Sequence, residues 1–101
     1  MRTLLLAALI LAPGATLVGQ APSYKRDVPA RLAAKARVVE DSAVALALAR
    51  VPGGRVEQLV LEREGGRLIY SLDIKVLGQA GIEEVHVDAL NGRVLRIEHE
   101  P

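Results

Sequence analysis

The stretch "LEREGGRLIYSLDI" (Leu61–Ile74) constrains this chain more than any other. Gly65-Gly66 sits between two runs of alternating apolar and polar residues. A glycine pair suits a two-residue hairpin turn, because such turns need positive φ at both central positions. Closing the turn on Glu64 and Arg67 pairs Leu61 with Tyr70 and Leu59 with Leu72, and all four fall on one face. Gln58, Glu62, Ser71 and Asp73 then take the other face. Turn chemistry and alternation agree on the register, and a slip of one residue would turn every apolar side chain to solvent. Val56 is out of phase, which predicts a bulge near Glu57-Gln58.

A second hairpin is expected in "EEVHVDALNGRVLRIEH" (Glu83–His99). A four-residue loop would set Asp88 opposite Arg93 and Val87 opposite Val94, dividing the apolar residues between two faces. A three-residue loop, Leu90-Asn91-Gly92, sets Val87 opposite Leu95 and Val85 opposite Ile97, all on one side. The three-residue loop is therefore the expectation. It places Glu84, His86 and Asp88 on the outer face, with Arg96 across from His86, so His86 reads as a solvated strand residue. His99 projects to the opposite face, and the two imidazoles cannot converge on one metal.

Upstream, "AAKARVVEDSAVALALARV" is rich in alanine and long enough to read as one helix over Ala33–Val51. Val39, Ala43, Leu46 and Ala47 share a face. Pro52 and the following glycines stop it. The fold class is then α+β, one helix packed on a four-stranded antiparallel sheet. The expected core is Val39, Ala43, Leu46, Ala47, Leu59, Leu61, Tyr70, Leu72, Val85, Val87, Leu95 and Ile97.

The first residues have a different character. Arg2 precedes the apolar run Leu4–Ala12, and Pro13-Gly14 break it. Nine helical residues rise about 14 Å, against a hydrocarbon core of roughly 30 Å. The run suits a signal peptide over residues 1–21, cleaved within 15–21, better than a membrane span. Residues 22–34, with two prolines and mixed charge, read as a flexible tether to a domain at 35–101. The expected product is exported, periplasmic or secreted, with no stable membrane insertion.

Composition narrows the function. Without residues 1–21 the chain holds twelve basic and twelve acidic residues, and its only aromatics are Tyr24 and Tyr70. Nucleic-acid binders need clustered cations and stacking rings, so no nucleic-acid partner is expected. With no cysteine, stability rests on aliphatic packing rather than on disulfides. Ser23, Ser42 and Ser71 lack a nucleophile-elbow context, and the glycine pairs are turn formers rather than phosphate cradles. Glu40-Asp41 and Glu83-Glu84 are sequence neighbours that point apart, not convergent acid–base pairs. No catalytic residue, cofactor site or metal site is expected, and the chain reads as a non-enzyme.

The ordered combination of "AVALALARVPGGRV" (Ala43–Val56), the "LEREGGRLIYSLDI" hairpin and "VDALNGRVL" (Val87–Leu95) resembles the PepSY domain of peptidase propeptides and YpeB, over about residues 36–98. Val39 departs from the small polar residue that often starts the helix in that family. The resemblance implies a helix across an antiparallel sheet and a non-catalytic role in holding or regulating a peptidase or other envelope protein. A small-ligand or metal-sensing periplasmic domain is the alternative.

An open sheet also exposes edges that accept another strand. The last strand is guarded by Arg93, Arg96, Glu98 and Pro101. The first is less so, which makes Leu59, Val60, Leu61 and Glu62 the candidate partner-binding edge. The competing expectation is that the N-terminal tether covers that edge or that the edge is left solvated.

Overall fold

A computed structural model describes residues 23–101; the expected signal segment and its cleavage window lie outside them. The elements are β1 (Lys25–Asp27), α1 (Ala30–Ala33), α2 (Glu40–Arg50), β2 (Gly54–Glu64), β3 (Arg67–Val76), β4 (Ile82–Asp88) and β5 (Val94–Glu100). The strands form one sheet in chain order, with β1 parallel to β2 and all other neighbours antiparallel. The sheet thus has five strands rather than the expected four. The extra one is β1, inside the segment read as a tether, which also holds α1.

The first hairpin has the expected register. Glu64 pairs with Arg67, Leu61 with Tyr70 and Leu59 with Leu72, and Gly65 and Gly66 have φ of 59° and 79°. The register shifts between Val56 and Gln58, leaving Glu57 as the extra residue. This bulge returns Val56 to the helix-covered face, opposite Ile74, where it is buried.

The second hairpin corrects the three-residue loop. Val87 pairs with Val94, while His86 pairs with Arg96 and Val85 with Ile97. Leu95 is the extra residue of a bulge. Near the turn the strands follow the four-residue register, and beyond the bulge they follow the other. Asp88 sets the turn. Its Oδ1 accepts the amides of Leu90 (2.8 Å) and Asn91 (3.1 Å), its amide donates to the Arg93 carbonyl (2.8 Å), and its carbonyl accepts the Gly92 amide (2.9 Å). Gly92 takes φ of 79°, and a Cβ there would press on Leu46 Cδ1 at 3.2 Å.

The single helix over Ala33–Val51 is also corrected. It is broken at residues 34–39, where the amides of Arg37 and Val38 both donate to the Ala89 carbonyl at 2.9 Å. The Tyr70 hydroxyl donates to the Val38 carbonyl at 2.7 Å. Bonds from β3 and from the β4–β5 turn thus outcompete helix continuation. Val39 is the N-cap, with ψ of 159° and no side-chain cap bond. Tyr70→Phe should keep the ring packed and lose that one bond. A loss of about 1 kcal/mol in urea denaturation is expected, and an unchanged midpoint would show that the bond does not hold the break.

Helix α2 packs over β2, β3 and β4, and the core lies between them. Ala43, Ala47, Leu59, Leu61, Tyr70, Leu72, Val85 and Val87 are buried as expected, joined by Leu32, Val51, Val56, Leu68, Ile74 and Ala89. Four expected core residues are not buried: Val39 is 65% exposed, Leu46 39%, Leu95 39% and Ile97 38%. Val39 lies outside the helical face as its cap. Leu95 and Ile97 belong to the edge strand, beyond the cover of α2. Among the described residues no helix is long and apolar enough to cross a membrane.

Candidate functional site

The candidate edge Leu59–Glu62 is where the sheet receives its fifth strand. Lys25 pairs with Gln58, Arg26 with Leu59 and Asp27 with Val60. β1 therefore covers the edge along Leu59 and Val60, and Leu61 and Glu62 continue past it. The Leu59 and Leu61 side chains are buried in the core, while Val60 and Glu62 stand half-buried on the opposite face. What this edge offers a neighbour is mainly backbone. Glu64 and Arg67 close a two-residue turn as a hydrogen-bonded pair, and bonding alternates along an antiparallel ladder. The amides and carbonyls of Leu59 and Leu61 consequently point away from β3, toward whatever strand lies outside.

A latch supports β1. The Tyr24 hydroxyl donates to Glu40 Oε2 at 2.6 Å, and Arg26 donates through Nη2 to Oε1 at 2.7 Å and through Nε to both oxygens at 3.1–3.2 Å. Glu40 opens α2, where a carboxylate also meets the positive end of the helix dipole. The Arg26 guanidinium holds the Glu40 carboxyl below its usual range; burial opposes that, and the Tyr24 hydroxyl adds to it. Burial, then the Glu40 carboxylate, pushes the Tyr24 hydroxyl well above its usual range. All three strand residues of β1 are exposed; three backbone pairings, this latch and the flanking Tyr24 and Val28, which pack against the core, hold it. The sequence held two hints of it, Tyr24 and Arg26 near a proline, but not their partner on the helix.

On the sheet face away from α2, His86 corrects its reading as solvated. It is only 6% exposed. Nε2 lies 3.1 Å from Glu84 Oε2, and Nδ1 lies 3.3 Å from Glu64 Oε1. Glu84 is the same-face neighbour two positions back, and Glu64 reaches across β3 from the end of β2. Arg96 is the cross-strand partner as expected, so two carboxylates and a guanidinium surround the ring. Ser71 Oγ donates to the same Glu84 oxygen at 3.2 Å. Serine and histidine therefore share a carboxylate rather than forming a nucleophile–base pair, which needs the hydroxyl to donate to the imidazole. His99 instead bonds Glu83 Oε2 at 2.6 Å, on the other face.

Glu84, Glu98 and Glu100 bring carboxylate oxygens within 4.8 Å of one another. Contact with Glu100, then His86 and Ser71, keeps Glu84 below its usual range against burial, while the hydrogen bond to Glu84, then the Glu84 charge, raises Glu100. The expected register already set Glu84 opposite Glu98; what the sequence reading did not add is Glu100, the next residue of β5 on that face.

A scan of family models matches residues 38–98 to PepSY, the peptidase propeptide and YPEB domain. The chain belongs to the PepSY family. The match begins at Val38 and ends in β5, so it takes in α2 and the four antiparallel strands but not β1. Comparison with curated proteins and with solved structures returned no match.

Proposed function

We propose that this PepSY domain is an exported, non-catalytic binding module that restrains or regulates a peptidase or another envelope protein. It docks an extended segment of that partner along β2 at Leu59, Val60, Leu61 and Glu62. The observation that carries this reading is β1. A three-residue strand already lies on the β2 edge, so the edge is built to take a strand, and the occupant pairs with it over three residues only. A partner segment longer than three residues would form more backbone bonds than β1 does. It would also continue past Asp27 along Leu61 and Glu62, and β1 leaves as it enters. The family's presence in peptidase propeptides supports a peptidase as the class of partner.

The test uses the absence of cysteine. Asp27 and Val60 are register partners, so the double variant Asp27→Cys/Val60→Cys can lock β1 onto β2 by a disulfide. Tagged protein is used to capture partners from the native envelope. Capture should be lost in the oxidised variant and return on reduction. Equal capture by the oxidised and reduced forms would sink the edge-docking reading.

The alternative, a ligand- or metal-sensing domain, draws on Glu84, Glu98 and Glu100. Two of those carboxylates already have partners, Glu84 in His86 and Ser71 and Glu98 in Arg96, and that reading stands second.

A further inference from the structure

The other edge of the sheet is β5, and every residue of it beyond Val94 is exposed. Ile97 pairs with buried Val85 and lies on the helix side of the sheet. Leu46, over the β4–β5 turn, and Leu95 and Ile97 on β5 are each more than one-third exposed. Arg96 and Glu98 flank Ile97 and pair with His86 and Glu84, so by alternation they stand on the opposite face. Charges on an edge strand normally repel other strands. Here their order is a palindrome of unlike charge about an apolar centre.

We propose that β5 pairs antiparallel with β5 of a second copy of this chain, about a two-fold axis at Ile97, joining two sheets into one. In that register Ile97 meets Ile97, Arg96 meets Glu98 of the other copy, and Glu98 meets its Arg96. Leu95 stands opposite His99. Both helices lie on the same side, and the exposed Ile97 side chains of the two copies meet at the axis on that side. Neighbouring registers fail on simple grounds. Centring on Glu98 sets Glu98 against Glu98, and centring on Arg96 sets two guanidinium groups against each other. A slip of one position opposes Ile97 to a charged residue and puts the helices on opposite faces. Only the Ile97-centred pairing joins unlike charges and apolar with apolar, which is how an edge can refuse other strands yet accept its own copy. Arg96 and Glu98 already form an ion pair within the strand, and both are about half exposed. Dimerisation extends that pair into a square of four alternating charges. The β2 edge stays at the outer end of each sheet, so this pairing does not compete with the partner docking proposed above.

The test is self-association of residues 22–101, which hold every described element, measured by sedimentation over a concentration series. The wild type should show a concentration-dependent dimer. Arg96→Glu and Glu98→Arg should each weaken it roughly 10- to 30-fold, since each sets like charges opposite at two symmetric positions. An equimolar mixture of the two variants restores unlike pairs in the mixed dimer and should recover wild-type association. The double variant Arg96→Glu/Glu98→Arg should also associate like the wild type. Circular dichroism checks folding, and Glu98→Arg stays informative if Arg96→Glu unfolds, because it faces Glu84. A wild type that stays monomeric, single variants that associate undiminished, or a mixture that fails to recover would each overturn the proposal.

Discussion

Leu72→Ala is expected to remove about 2–5 kcal/mol of stability, the usual cost of a leucine-sized cavity in a packed core. Leu72 has no exposed surface and sits at the middle of the central strand, flanked by Leu59 on β2 and Val85 on β4. Both flanking residues are also fully buried, so the hole has rigid walls and little to collapse into it. Domains of this size hold about 5–15 kcal/mol in total, and small ones lie toward the lower end. At roughly 4–8 °C per kcal/mol for such a domain, the melting temperature should fall by about 10 °C or more. Ile97→Ala is the informative comparison, because Ile97 faces the same side but keeps 38% of its surface, and its loss should be much smaller. Equal losses at the two positions would mean that β5 is packed as tightly as β3, contrary to the structure.

That contrast marks the boundary of what the residues reveal before the fold is known. The Glu64–Arg67 register was legible because a two-residue turn and the alternation beside it act over a few positions. Alternation could also place Val85 and Ile97 on one face. It could not show that α2 stops over β4 and leaves Ile97 at the rim, since that depends on where the helix ends in space. The helix break at 34–39 was hidden for a similar reason. Alanine, lysine and arginine in that stretch favour helix by propensity, and the carbonyl of Ala89 that captures two of its amides lies some fifty residues away. β1 is three residues long and pairs in parallel across a separation of more than thirty, too short for periodicity to register. The second hairpin is the subtler case. The four-residue loop was right for the pair next to the turn, Val87 with Val94, and the three-residue loop for the rest of the ladder; the bulge at Leu95 reconciles them. His86 looked solvated because only its direct cross-strand neighbour was considered. The reach of Glu64 across β3 is a property of long side chains on a half-covered face.

Asp88 carries the remaining large effect, and with it a pH dependence whose sign follows from its surroundings. It is 3% exposed. Burial pushes its carboxyl upward, but the Leu90 amide, the Arg67 guanidinium at 3.1 Å and the Asn91 amide together outweigh that and hold it below its usual range. Arg67 is half exposed, so water screens that pair and the two amides supply more of the hold. Asp88→Ala removes hydrogen bonds made to a charged acceptor at the turn that orders Gly92 against Leu46. A loss of about 2–3 kcal/mol at neutral pH is expected. The folded protein keeps Asp88 ionised where the unfolded chain has begun to bind a proton, so stability rises with pH through that window. The contribution is fully present above the unfolded value of about 4 and is lost as pH falls through the lower folded value. Glu40 and Glu84 are also held low, and they make the wild type acid-labile on their own account. The readout must therefore be the difference between wild type and Asp88→Ala, in which those carboxylates cancel. Urea denaturation of both proteins from pH 7 down to about pH 3 should show the gap at its widest near neutrality and narrowing steadily below about pH 4. A gap that stays constant over the whole range would mean that the shape of Asp88, and not its charge, holds the turn.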